Sequence, residues 1–260
     1  MQQEMTMDRE EERSRRRRFV ILAVLAGALI VVLSIGGTLA YLTATTNTKN
    51  NVFTSTTDIT ATLTEPNWDS TGASTATNML PGTAAAKDPK ITNTDPAGGE
   101  SEYVAERITF QKAVDDGQGG VSYTNMSVDE INNLLVGVAV YSGTALPTAG
   151  GITIGSDWTA SADNAATKAQ RLYYYNNALA AQATTSPLYD NVAIVSAAGN
   201  TTWNTGDTVT TANFMSWLSK TCKSGKFQVT MDGCAVQVSN NGTAASADAA
   251  HEFSALLPLT

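Results

Sequence analysis

The sequence predicts an all-β sandwich with a few short helices, on three observations. Short segments alternate apolar with polar residues, as in "ITATLT" (59–64), and "YVAERITF" (103–110) places Val104, Ile108 and Phe110 on one face. Clusters of Gly, Pro, Asn and Asp separate these segments. Thr, Ala, Asn, Ser and Gly dominate while only 15% of residues are charged, a composition that favours turns and strands over long helices.

Taken in order, the elements begin with a segment unlike the rest. Residues 1–18 hold six arginines and five acids, with Arg15–Arg18 abutting Phe19, and 17 uncharged residues follow from Phe19 to Ile35. That run is slightly long for the apolar part of a signal peptide and short for a membrane span. Thr38-Leu39-Ala40 ends it with small residues, so residues 1–40 read as a signal peptide cut between Ala40 and Tyr41. An uncleaved anchor is the alternative, and would be the chain's one link to the membrane. Either way the arginines stay cytoplasmic and the rest lies outside.

Beyond residue 40 there are 10 Lys/Arg and 19 Asp/Glu, a net charge of −9. Such a chain offers no basic footprint for nucleic acid. Its length suits one all-β domain or two small ones.

After the strand ending at Thr64, "EPNWDSTG" reads as a turn. "LPGTAAAKDPKITNTDPAGGESE" reads as ordered loop or edge strand, and "DDGQGG" (115–120) as a hairpin. Ser127 and Glu130 form a capping box, predicting a helix over 128–135. A buried strand follows at 136–143, an aromatic strand begins at Arg171, and another lies near 192–195. Residues 211–220 predict a helix with Phe214, Trp217 and Leu218 on one side. Residues 226–238 predict a strand with a bulge or turn at Asp232-Gly233, and "SADAAHEFSALL" a final helix. The four tryptophans, Trp68, Trp158, Trp203 and Trp217, read as core anchors. In Tyr173-Tyr174-Tyr175, alternation sends Tyr174 to one face and its neighbours to the other, with one face core and one partly exposed.

Catalytic signals are sparse. The sole histidine, His251, stands in "HEFSA", where a zinc-protease helix would need a second His at Ala255. No Gly-x-Ser-x-Gly turn presents a serine, and no Gly-rich loop ends in Gly-Lys-Ser/Thr. Asp115-Asp116-Gly117 lacks the alternating acids of a calcium loop. Lys220 and Lys223 alone flank a thiol, too little to activate Cys222. Any two of the 19 acids could converge as a carboxylate pair, and nothing selects one. No catalytic residue, metal ligand or cofactor is expected. Cys222 and Cys234, outside the cell, read either as a disulfide worth about 3 kcal/mol or as two buried thiols.

Four stretches carry a family resemblance in order: "GGTLAYLTATTNTKNNVFTSTTDITATLTEPNW"; "LPGTAAAKDPKITNT" with "YVAERITF"; "YYYNNALAAQATTSPLYDNVAI"; and "FQVTMDGCAVQV". Together they resemble the camelysin/TasA family over roughly 34–110 and 171–256, leaving 111–170 as an unmatched insertion in a domain spanning 54–260. The resemblance implies export through a SipW-type signal peptidase and a jelly-roll-like β-sandwich, secreted or held at a bacterial cell surface. Some members build biofilm matrix fibres, whereas camelysin is classed as a metalloendopeptidase. The function expected here is a structural matrix protein that self-associates into fibres. A camelysin-like metalloendopeptidase and a monomeric surface adhesin are the alternatives.

Cleavage would free the extension 41–53. Tyr41, Leu42, Thr43, Ala44, Thr45 and Thr46 lack Pro and Gly, and suit an extended donor strand for another copy's sheet edge.

Overall fold

The computed structural model describes residues 50–51, 59–165, 167–195, 208–238 and 249–260. The signal segment, its Ala40–Tyr41 cleavage point, the donor residues 41–46 and Trp203 lie outside the described residues. The chain divides into two units, Met1–Thr48 and Lys49–Thr260.

The second unit is predominantly β. Its strands are β1 (Asn50–Asn51), β2 (Ala61–Thr64), β3 (Thr83–Ala86), β4 (Lys90–Asn93), β5 (Glu102–Asp115), β6 (Val121–Asn125), β7 (Val138–Tyr141), β8 (Gly151–Thr153), β9 (Trp158–Ala160), β10 (Gln170–Tyr175), β11 (Asn191–Ile194) and β12 (Phe227–Gln237). The helices include α1 (Val128–Gly137), α2 (Thr211–Thr221) and α3 (Ala250–Leu256). One sheet runs β1-β12-β5-β10-β9, with β6 also on β5. A second runs β3-β11-β7-β8, and β2 pairs with β4.

The long strand β5 organises the first sheet. It pairs antiparallel with β12 from Glu102↔Gln237 to Lys112↔Phe227. Along its other side β10 pairs with Ala105–Thr109 and β6 with Gln111–Asp115, the latter through the predicted hairpin. Alternation splits this sheet into two buried faces. Val104, Ile108 and Phe110 of β5 join Tyr173, Val229, Met231 and Ala235 in the main core. Tyr103, Ala105, Leu172, Tyr174, Cys234 and Val236 form a second cluster beneath α3. The expected partly exposed face of the tyrosine run is therefore covered: Phe253 stacks on Tyr174 with centroids 5.5 Å apart. Burying Phe253 fully stabilises this docking by about 2 kcal/mol.

Val138, Val140, Val192 and Ile194 of the second sheet enter the same main core, together with Leu63 and Ile91 of the small sheet. Helix α1 begins at the predicted capping box, Ser127 and Glu130 each binding the other's backbone N–H, and buries Ile131 and Leu134. Helix α2 buries Phe214 and Leu218, while Trp217 is half-buried beside Phe214. Of the other tryptophans, Trp158 is buried and Trp68 half-buried. Residues 111–170 supply strands to both large sheets.

Two local expectations are corrected. "EPNWDSTG" is not a plain turn but leads into helical turns through Trp68–Gly72, Ala73–Thr75 and Ala76–Asn78. Short hydroxyl side chains hold it by bonding back: Ser70 donates to the Asn67 carbonyl, and Ser74 and Thr75 to that of Thr71. Asp232-Gly233 is neither bulge nor turn, because the β12–β5 register passes through it unbroken. A Cβ at Gly233 would lie 3.2 Å from Ile91 Cδ1, close enough that the isoleucine would have to shift.

Candidate functional site

The parity that puts Val104, Ile108 and Phe110 in the core also puts Glu102 and Glu106 there. Both are fully buried, and among the described residues neither carboxyl meets a hydrogen-bond donor. Such groups cost stability and call for an explanation.

Around Glu106 the chain gathers residues from three separate segments. Glu65 follows β2 and Lys87 follows β3; Lys87 Nζ lies 2.6 Å from Glu65 Oε1, and both side chains are buried. The Lys87 ammonium sits 4.9 Å from the centroid of the Trp68 ring. The Lys87 backbone is fixed by its N–H donating to the Asp190 carbonyl at 2.9 Å. Asp88 accepts from the Asn67 N–H at 2.7 Å and faces Lys90 Nζ at 3.1 Å. Tyr189, fully buried, donates its hydroxyl to Met231 Sδ.

Burial pushes the Glu106 carboxyl well above its usual range. The neighbouring Glu65 carboxylate adds to this, and the Lys87 ammonium opposes it. Burial also raises the Tyr189 phenol, helped by Glu65 and Glu106. The site thus holds one ion pair beside a carboxyl whose protonated form burial favours, with the Trp68 ring and the buried Tyr189 close by.

Glu102 has a buried acidic neighbour of its own in Asp95. Asp95 accepts from the Thr60 N–H and hydroxyl at 3.0 and 2.9 Å, and its own N–H donates to Asn93. The Glu102 backbone exchanges bonds with Leu179. Burial, then the Asp95 carboxylate, raises the Glu102 carboxyl to about 8.

The alternation that sets Val104, Ile108 and Phe110 on one face also sets Glu106 between them. The alternation was the signal that could have found it. The His-Glu pair that falls short of a zinc-protease motif stands elsewhere. His251 and Ala255 are both exposed on α3. Among the described residues no three His, Cys, Asp or Glu side chains converge as metal ligands, and no helix is long and apolar enough to cross a membrane.

Cys222 and Cys234 are free and buried, which overturns the disulfide alternative. The physical reason is the sheet: Cys222 belongs to the main core and Cys234 to the cluster beneath α3. Burial raises the Cys222 thiol to about 11 and Cys234 further. Thiol titration should therefore count two reactive groups in denaturant and none in the native protein. A thiol-free denatured chain would contradict this arrangement.

The edge of the first sheet is the other notable feature. Strand β1 pairs in parallel with β12, matching Asn50 to Asp232 and Asn51 to Gly233. Among the described residues this two-residue contact is all the strand pairing along that side of an 11-residue strand. Arg107 clamps the position from β5, its Nε and Nη2 donating to Asp232 Oδ2 at 3.1 and 2.7 Å.

No family model, curated protein or solved structure matches the chain.

Proposed function

We propose that the chain is an exported structural protein of a bacterial cell surface or extracellular matrix, assembling by β-strand complementation. The observation that carries this reading is the β1–β12 contact. Asn50 and Asn51, within the extension 41–53, already lie on the outer edge of β12, and among the described residues they pair there with Asp232 and Gly233 alone. A strand edge paired over so short a length accepts a further strand through its backbone N–H and C=O groups. A head-to-tail contact of this kind does not close on itself and propagates. The main apolar core, fed by both large sheets, supports a jelly-roll-like sandwich, in keeping with the resemblance to camelysin/TasA proteins.

On this reading a SipW-type signal peptidase removes residues 1–40. N-terminal sequencing of the secreted protein should begin at Tyr41 or within a few residues, and electron microscopy of that material should show filaments. A mature form that keeps Arg15–Arg18 would restore the membrane anchor. Uniform monomers at high concentration would favour the adhesin, and chelator-sensitive proteolysis the metallopeptidase.

A further inference from the structure

The Glu65–Lys87–Glu106 centre is an unusual use of a core. A buried ion pair gains little net stability after its desolvation cost, and a third, unpaired carboxyl beside it adds a further penalty. Replacing the three with apolar side chains would be the simpler way to fill the space. The geometry instead suits a reaction. Lys87 Nζ stands 2.6 Å from Glu65 Oε1, both side chains are withdrawn from water, and Trp68 covers the ammonium. Glu106 is fully buried on the inward face of β5, with neither oxygen engaged among the described residues.

We propose that Lys87 and Glu65 condense into an intramolecular amide, with Glu106 shuttling the protons. The Lys87 ammonium passes one proton to the Glu65 carboxylate, which an apolar surrounding favours because it replaces two charges with two neutral groups. Lys87 Nζ then attacks Glu65 Cδ; the new C–N bond forms as the carbonyl electron pair moves onto oxygen. Glu106, whose two carboxyl oxygens are otherwise without a partner among the described residues, relays a proton from the nitrogen to the departing hydroxyl. The C–O bond breaks and one water leaves. The products are a neutral amide, one water and Glu106 restored as the acid; no oxidant, nucleotide or metal is consumed.

Holding the two groups in contact supplies the orientation that free amines and acids lack in solution. Loss of the water from an apolar site keeps the reaction from reversing. The amide would join the segment after β2 to the segment after β3, and so tie the small sheet to the edge strand of the second sheet. Two buried charges would disappear in the process.

The test is the mass of the mature wild-type chain, measured in denaturant against its sequenced N-terminus. It should be one water lighter than its sequence. Proteolysis before aspartates should then release residues 58–68 and 69–87 as one branched peptide. Lys87→Met should show the full sequence mass. Glu106→Gln, with circular dichroism confirming its fold, should form the linkage at a rate lower by roughly 10²-fold or more. Folded wild-type protein at full mass, or a water lost from any other peptide, overturns the proposal. A Glu106→Gln chain that cross-links as fast as wild type removes Glu106 from its role.

Discussion

Deleting Tyr41–Asn51 should leave a folded monomer that no longer forms filaments. Among the described residues, the core holding Val104, Phe110, Tyr173, Val192 and Met231 is built by elements from β2 onward. What the deletion removes is the extension together with β1, whose backbone meets β12 at Asp232 and Gly233. The loss should be all-or-none in electron micrographs, because a chain that cannot donate a strand terminates growth. The thermal midpoint should stay within a few degrees of the full-length domain, since two strand pairings contribute on the order of 1 kcal/mol. A synthetic peptide spanning 41–53 should bind the truncated chain one to one and cap filaments of the intact protein. If the truncated chain still polymerises, donor-strand assembly is wrong and another surface builds the fibre.

The second large effect is on stability against pH. Glu102 has its folded pKa raised from 4.5 to about 8 by burial and then by Asp95, so the fold holds it neutral where the unfolded chain ionises it. Between those values the unfolded state binds fewer protons, and stability falls as pH rises. The contribution is fully present below about pH 4.5 and gone above about pH 8. A shift of this size corresponds to no more than about 5 kcal/mol across the window. Glu106 acts in the same direction, its carboxyl raised chiefly by burial. Urea midpoints should therefore decline from mildly acidic to mildly basic solution, the reverse of a protein built on paired carboxylates. Glu102→Gln should flatten much of that decline while leaving the fold intact. A midpoint that rises with pH across the same range would show that Glu102 is ionised in the fold.

Much of the architecture was legible because it rests on local chemistry. The capping box at Ser127 and Glu130, the hairpin at 115–120 and the alternation of 226–238 each act within a few residues, and each appears in place. The errors came where a local signal had a distant override. Asp-Gly is a strong turn signal, yet Asp232 is bonded in a straight strand by Arg107, 125 residues away, and Gly233 stays in the ladder opposite Glu106. Alternation in the tyrosine run predicts one partly exposed face, because nothing near it in sequence announces that α3 lies over Tyr174. The cysteines are close in the chain, but β12 carries Cys234 into the cluster beneath α3 while Cys222 joins the main core.

By itself, the sequence determined the strand-rich class, most of the elements, the acidic character and the polar extension behind an apolar run, since periodicity, capping and charge are properties of neighbouring residues. The tertiary structure alone decided that Glu65, Lys87 and Glu106 share one buried site, that the thiols stay apart, and that β1 rests on the edge of β12. Each of these depends on which segments the two sheets bring together, and that follows from the packing of the whole core.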